Sequence, residues 1–133
     1  MSEAVLLNSK QMIEFASRGF LRMDGVVPES INQQFLQDIG HVDESEIMSP
    51  AEHYARVMRT STIPVVGAGR ALSDTYPQGS AIQQMLSLPK VAGALTSLVG
   101  ESPAFDHHFL HMTFPPRFYE DSESPQASQP THQ

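Results

Sequence analysis

Apolar residues recur at helical spacing in five stretches of the chain, each bounded by residues that start or stop helices. Asn8 can cap the first, with Gln11 three residues on as its capping-box partner. Met12, Ile13 and Ala16 follow at helical spacing, and Gly19 is a C′ stop. Phe20-Leu21-Arg22-Met23 reads as extended, Asp24-Gly25 as a turn, and Val26-Val27 as a short strand. Pro28-Glu29-Ser30 opens a second helix with Ile31, Phe35, Leu36 and Ile39 on one face, ended by Gly40. The acidic stretch from His41 to Glu46 reads as a solvated loop. Ser49-Pro50-Ala51-Glu52 is the clearest local signal: Ser49 caps, Pro50 fits the first helical position, and Glu52 closes a capping box. Ala51, Tyr54, Ala55 and Met58 then mark the expected inner face. Ser80 caps a fourth helix with Ile82, Met85 and Leu86 inward. Leu88-Pro89 breaks it and starts a fifth, with Val91, Leu95, Leu98 and Val99 inward and Gly100 as its stop.

Two stretches depart from this rhythm. Thr60 to Gly79 has no helical period and reads as a long loop, a length that often marks a lid or binding loop. Its Gly67-Ala68-Gly69 pair is no dinucleotide fingerprint, because the third glycine would fall at Leu72 and no strand-turn-helix context surrounds it. Ala104 to Phe114 is an apolar run rich in aromatic residues and histidine, closed by Pro115-Pro116. Phe105, Phe109, Thr113 and Phe114 favour a strand there. Beyond it, residues 120–133 are rich in Ser, Pro, Gln and Glu, the composition of a flexible tail or loop. The expected division is therefore 1–119, a helical region with a first core strand, and 120–133, a polar segment.

Length and charge narrow the classes. A chain of 133 residues fits one domain and can bury a real core. The net charge of −7 disfavours a phosphate backbone, so nucleic acid is not an expected partner. There is no basic amphipathic stretch and no apolar run of about 18 residues, so neither membrane-surface binding nor a membrane span is expected. The first residues lack a basic n-region and a long apolar run, so they do not read as a signal peptide, and a cytoplasmic location is the default expectation. With no cysteine, disulfides, thiolate metal sites and cysteine nucleophiles are excluded.

The candidate chemistry is carried by histidine. On a helix, His107 and His111 would share a face about 6 Å apart, close enough to chelate one ion. The zinc-protease motif would then need a glutamate after the first histidine, and position 108 is His108. On a strand they would share a face roughly 13 Å apart, too far for one ion. The strand reading leaves these histidines as half-buried residues held by hydrogen bonds, with contact to a substrate or cosubstrate next and metal ligation last. His132, followed by Gln133, stands where a His-x-Asp or His-x-Glu motif would begin. Non-haem ferrous oxygenases hold iron with two histidines and one carboxylate, the first two ligands arriving in that spacing.

Taken in order, four segments resemble the N-terminal part of the phytanoyl-CoA dioxygenase family. Asn8 to Leu21 is similar to the opening helix and the Gly-Phe strand that follows it. Asp24-Gly25-Val26-Val27-Pro28 and the next helix are similar to the segment after that. The helical stretch to Gly100 is a looser match. Phe105 to Pro116, a polar loop, and Gln129-Pro130-Thr131-His132-Gln133 resemble the first core strand running into the iron motif. The resemblance implies a ferrous, 2-oxoglutarate-dependent hydroxylase on a double-stranded β-helix, acting on a small-molecule substrate. His132 then matches the first iron ligand, and His108, His111 and Thr113 fall on the strand that lines the cosubstrate pocket. No residue here matches the other two ligands, and Arg117 is not assigned the grip on 2-oxoglutarate that the family places downstream.

The expected fold is α+β: about five N-terminal helices, plus one or two strands of an incomplete jelly-roll core. A single imidazole cannot fix Fe(II), so this chain alone is expected to be inactive. The alternative is a small acidic helical binding or interaction module without catalysis. A metal protein built on His107, His108 and His111 ranks third.

Overall fold

Among the described residues five α-helices form where local chemistry lets them start and stop: α1 (Ser9–Arg18), α2 (Glu29–Asp38), α3 (Pro50–Thr60), α4 (Ala81–Leu86) and α5 (Pro89–Val99). They are seen in a computed structural model that describes residues 3–60, 67–108 and 112–118. The capping box at Asn8 is complete, Asn8 Oδ1 accepting from the Gln11 N–H and Gln11 Oε1 from the Asn8 N–H, both at 3.0 Å. Gly19 ends α1 in the left-handed region at φ +77°, its N–H donating to the Phe15 carbonyl at 2.8 Å. At the end of α2, Gly40 also takes positive φ, and the His41 and Gly40 N–H groups donate to the Leu36 and Gln37 carbonyls at 2.8 and 3.0 Å. That pair of bonds is a Schellman closure, which an L side chain at position 40 would strain. The Ser49 hydroxyl accepts from the Glu52 N–H at the start of α3.

The helices are tied together through polar atoms as much as through apolar faces. α4 packs against α2 and α5. Asp38, the last residue of α2, reaches across so that Oδ2 accepts the Ala81 N–H at 2.9 Å, at the first residue of α4, while Oδ1 accepts from Gln34 at 2.7 Å. This meets one of the N–H groups that a helix start leaves without an intrahelical partner. The N-terminal segment, residues 3–8, runs along α5. The Val5 N–H donates to the Pro89 carbonyl at 2.9 Å, and the Leu7 N–H to Ser97 Oγ at 3.0 Å, while that hydroxyl donates to the Gly93 carbonyl at 2.7 Å. The crossing is close enough to need glycine: a Cβ at Gly93 would lie 1.9 Å from the Val5 carbonyl oxygen.

The buried apolar residues are Ile31, Ile39, Val57, Ala81, Ala94 and Phe105. Three expected faces are corrected. In α3 the inward residue is Val57, fully buried, with Tyr54 and Met58 44% and 46% exposed. α1 buries none of its residues, and Ile13 is 67% exposed. In α5 the tightly buried positions are Gly93 and Ala94, and Val99 is exposed.

The α+β expectation is overturned. Among the described residues there is no sheet, only an isolated antiparallel bridge between Ala71 and Ala104. Val26-Val27 is not a strand. The segment from Phe105 to His108 is extended but unpaired beyond that bridge, and no part of a jelly-roll core is present among these residues. The reason is physical: β-branched and aromatic residues favour a pleated, half-buried surface, and a strand exists only against a partner. The partner here is a turn, so the ladder stops after one bridge. The polar segment 120–133 lies outside the described residues.

Candidate functional site

The bridge sets a histidine, His108, against Tyr76, a residue that also lines a cleft. The Gly69 N–H donates to the Phe105 carbonyl at 2.8 Å, the Phe105 N–H to the Arg70 carbonyl at 2.7 Å, and the Leu72 N–H to the Pro103 carbonyl at 3.0 Å. These bonds clamp residues 103–105 to the start of a 3₁₀ turn, Leu72–Asp74. Thr75, buried, closes the turn by donating its hydroxyl to the Ala71 carbonyl at 3.0 Å. Tyr76 is thereby set against Phe105 and His108, with ring centroids 6.4 and 5.9 Å away, and Phe105 meets His108 edge-on at 5.5 Å.

Within this cluster the Tyr76 hydroxyl lies 3.2 Å from His108 Nδ1. Burial pushes the Tyr76 phenol above its ordinary pKa, so it keeps its proton at neutral pH. The hydroxyl and Nδ1 form one hydrogen bond, its donor set by the imidazole tautomer. His108 is half-buried and held by this bond and by its aromatic neighbours, not by a strand. His107 is exposed, its Nδ1 2.5 Å from Asp106 Oδ2.

On the far side of Tyr76 lies a cleft of about 460 Å³ between α4, α5, the 3₁₀ turn and residues 101–103. Leu72, Leu86 and Leu95 supply apolar wall, and Glu101 is the one charged residue lining it. Gln83 and Ser87, also on the wall, satisfy each other: the Gln83 amide donates to Ser87 Oγ at 3.0 Å, and that hydroxyl to the Gln83 carbonyl at 2.8 Å. The volume is within the ordinary range of a small-molecule site.

The sequence-predicted site residues are not brought together. His108 belongs to the Tyr76 cluster, whereas Thr113 is exposed beside Phe114, which packs edge-on against His53 of α3 at 6.0 Å. Arg117 is held by Glu44, donating to its carboxylate at 2.6 Å and to its carbonyl at 2.7 Å. His111 and His132 lie outside the described residues. Among the described residues no group of three His, Cys, Asp or Glu side chains is placed to hold a metal ion, so these residues do not fit an iron site. Sequence reasoning missed Tyr76 and Glu101. Tyr76 sat in a Tyr-Pro-Gln-Gly stretch that read as loop, and Glu101 followed a helix stop; neither position signalled a cavity. No family model matches the chain, and no curated protein or solved structure matches it either.

Proposed function

We propose that this chain supplies the helical N-terminal part of a non-haem Fe(II)- and 2-oxoglutarate-dependent dioxygenase of the phytanoyl-CoA dioxygenase type. The reading is carried by one observation: the order of the family-like segments from Asn8 to His132. The boundaries of the first two agree with it. α1 opens on the Asn8 capping box and closes on Gly19 before Phe20, and α2 starts directly after Pro28. In this reading the resemblance assigns one iron ligand to His132 and cosubstrate contact to His108, His111 and Thr113, of which His108 is held by Tyr76. The jelly-roll strands are no part of the proposal, and no step of iron chemistry is assigned to the described residues. The protein acts on a small molecule, away from nucleic acid and membranes, in the cytoplasm. Among the described residues no helix is long and apolar enough to cross a membrane.

The test is the gene past codon 133. An acidic codon two places after His132, with conversion of 2-oxoglutarate to succinate by the full product and its loss in His132→Ala, supports the reading. A continuation without that acid, or turnover that survives His132→Ala, overturns it. A second reading, a small acidic helical binding module, is favoured by the cleft between α4 and α5, whose size suits a ligand.

A further inference from the structure

Three clefts lined by described residues differ in charge. The cleft beside the N-terminal segment, about 290 Å³, includes Arg22, Asp24 and Lys90. The cleft beside α3, about 410 Å³, includes Glu46, Glu52 and Arg56. Both mix signs. The cleft between α4 and α5 has apolar walls, one aromatic ring, one carboxylate and no cationic lining residue. Glu101 makes no ion pair among the described residues, so its charge is not spoken for. It also follows the C-terminus of α5, where the helix dipole adds partial negative charge.

We propose that the α4–α5 cleft is a binding site for a small organic cation with an apolar body, an alkylamine or quaternary ammonium compound. The apolar body lies against Leu72, Leu86 and Leu95, and the cationic head lies at the Glu101 end. Tyr76 adds a ring of the kind that attracts ammonium groups. Opposite charge and apolar burial act together here: an alkyl chain gains from leaving water, and only a cation gains from the carboxylate as well. An anion of the same shape meets Glu101 and the helix end as repulsion. The site is independent of the iron reading, and it gives the binding reading its ligand class.

The experiment uses the whole chain, labelled with ¹⁵N, and three probes of equal chain length: hexyltrimethylammonium, 1-hexanol and hexanoate. Amide shifts are followed at Leu72, Leu86, Leu95 and Glu101. The expected order is cation, then alcohol, then hexanoate. Glu101→Gln, at an exposed position, should weaken the cation about two- to fivefold and leave hexanol unchanged, the scale of an exposed charge pair. Unperturbed amide dispersion in the variant shows that the fold is intact. Hexanol matching the cation, or a cation affinity indifferent to Glu101→Gln, overturns the assignment of ligand class while leaving an apolar site. No saturable shift with any probe overturns the site and the binding reading together.

Discussion

Replacing Gly93 by alanine sets two physical effects against each other. Within a helix, alanine is favoured over glycine by about 0.8–1.0 kcal/mol, because glycine loses more backbone freedom on folding. At this position, however, the three atoms nearest the new Cβ all belong to Val5: its carbonyl oxygen at 1.9 Å, its carbonyl carbon at 2.2 Å and its nitrogen at 2.8 Å. No rotamer relieves a Cβ, and the opposing atoms are backbone, so residues 3–8 must move off α5. The bonds from Val5 to Pro89 and from Leu7 to Ser97 then go. At about 0.5–1.5 kcal/mol each, their loss totals about 1–3 kcal/mol. The two effects roughly offset in global stability, and the local effect does not cancel.

Amide hydrogen exchange reads the local effect. In Gly93→Ala, the Val5 and Leu7 amides should lose their protection while those inside α5 keep it. Deleting residues 1–7 then separates the two effects. In the shortened chain the clash is absent, and Gly93→Ala should stabilise by about 1 kcal/mol, the helix propensity alone. In the full chain it should be neutral or destabilising. If the substitution stabilises the full chain as much as the shortened one, residues 3–8 do not lie on α5 and the crossing at Gly93 is refuted.

Asp38→Ala removes the acceptor of the Ala81 N–H and of the Gln34 amide, and should cost about 1–2 kcal/mol, read as a lower urea midpoint; an unchanged midpoint would show that α4 does not depend on α2 for its start. His53 gives a pH dependence of known sign. Burial first, then the charges of Arg56 and His41, hold its imidazole below the usual value of 6.5. The folded chain therefore binds this proton less readily than the unfolded one. The associated stability is fully present above pH 6.5 and declines as pH falls from there through the folded pKa. His53→Gln should flatten that limb of the stability profile, and a wild-type slope retained in the variant would assign the dependence to other groups.

What was legible in the sequence was local. Asn8, Gly19, Gly40, Ser49 and Ser80 act within four residues of themselves, through an acceptor for a stray N–H or a backbone that needs positive φ, and they delimit helices as read. Inner faces were less legible because several helices carry apolar residues on more than one side. In α3, Tyr54, Val57 and Met58 stand at i, i+3 and i+4, so they border one face, and helical spacing cannot say which edge of it meets a neighbour. Val57 does so. Contacts made by backbone or by small residues were not legible at all. Gly93 reads as a weak point in α5, yet it is where the N-terminal segment crosses.

The strand expected at 104–114 is not seen among the described residues of that stretch for a related reason, which bears on how His107 and His108 are understood. Propensity describes what a segment prefers when a partner exists; the partner is a fact about another part of the chain. Here the partner is the turn at Arg70–Ala71, which offers one bridge and then curls into the 3₁₀ turn that carries Tyr76. The same curl that ends the ladder delivers a phenol to His108 Nδ1. His108 is thus fixed by a side-chain hydrogen bond and two aromatic neighbours rather than by a sheet. Its orientation depends on Tyr76, a residue thirty-two positions earlier that no histidine-centred motif would have drawn in. Any chemistry at His108, whether cosubstrate contact or plain packing, therefore runs through the Tyr76 turn and the wall of the α4–α5 cleft that Tyr76 also forms.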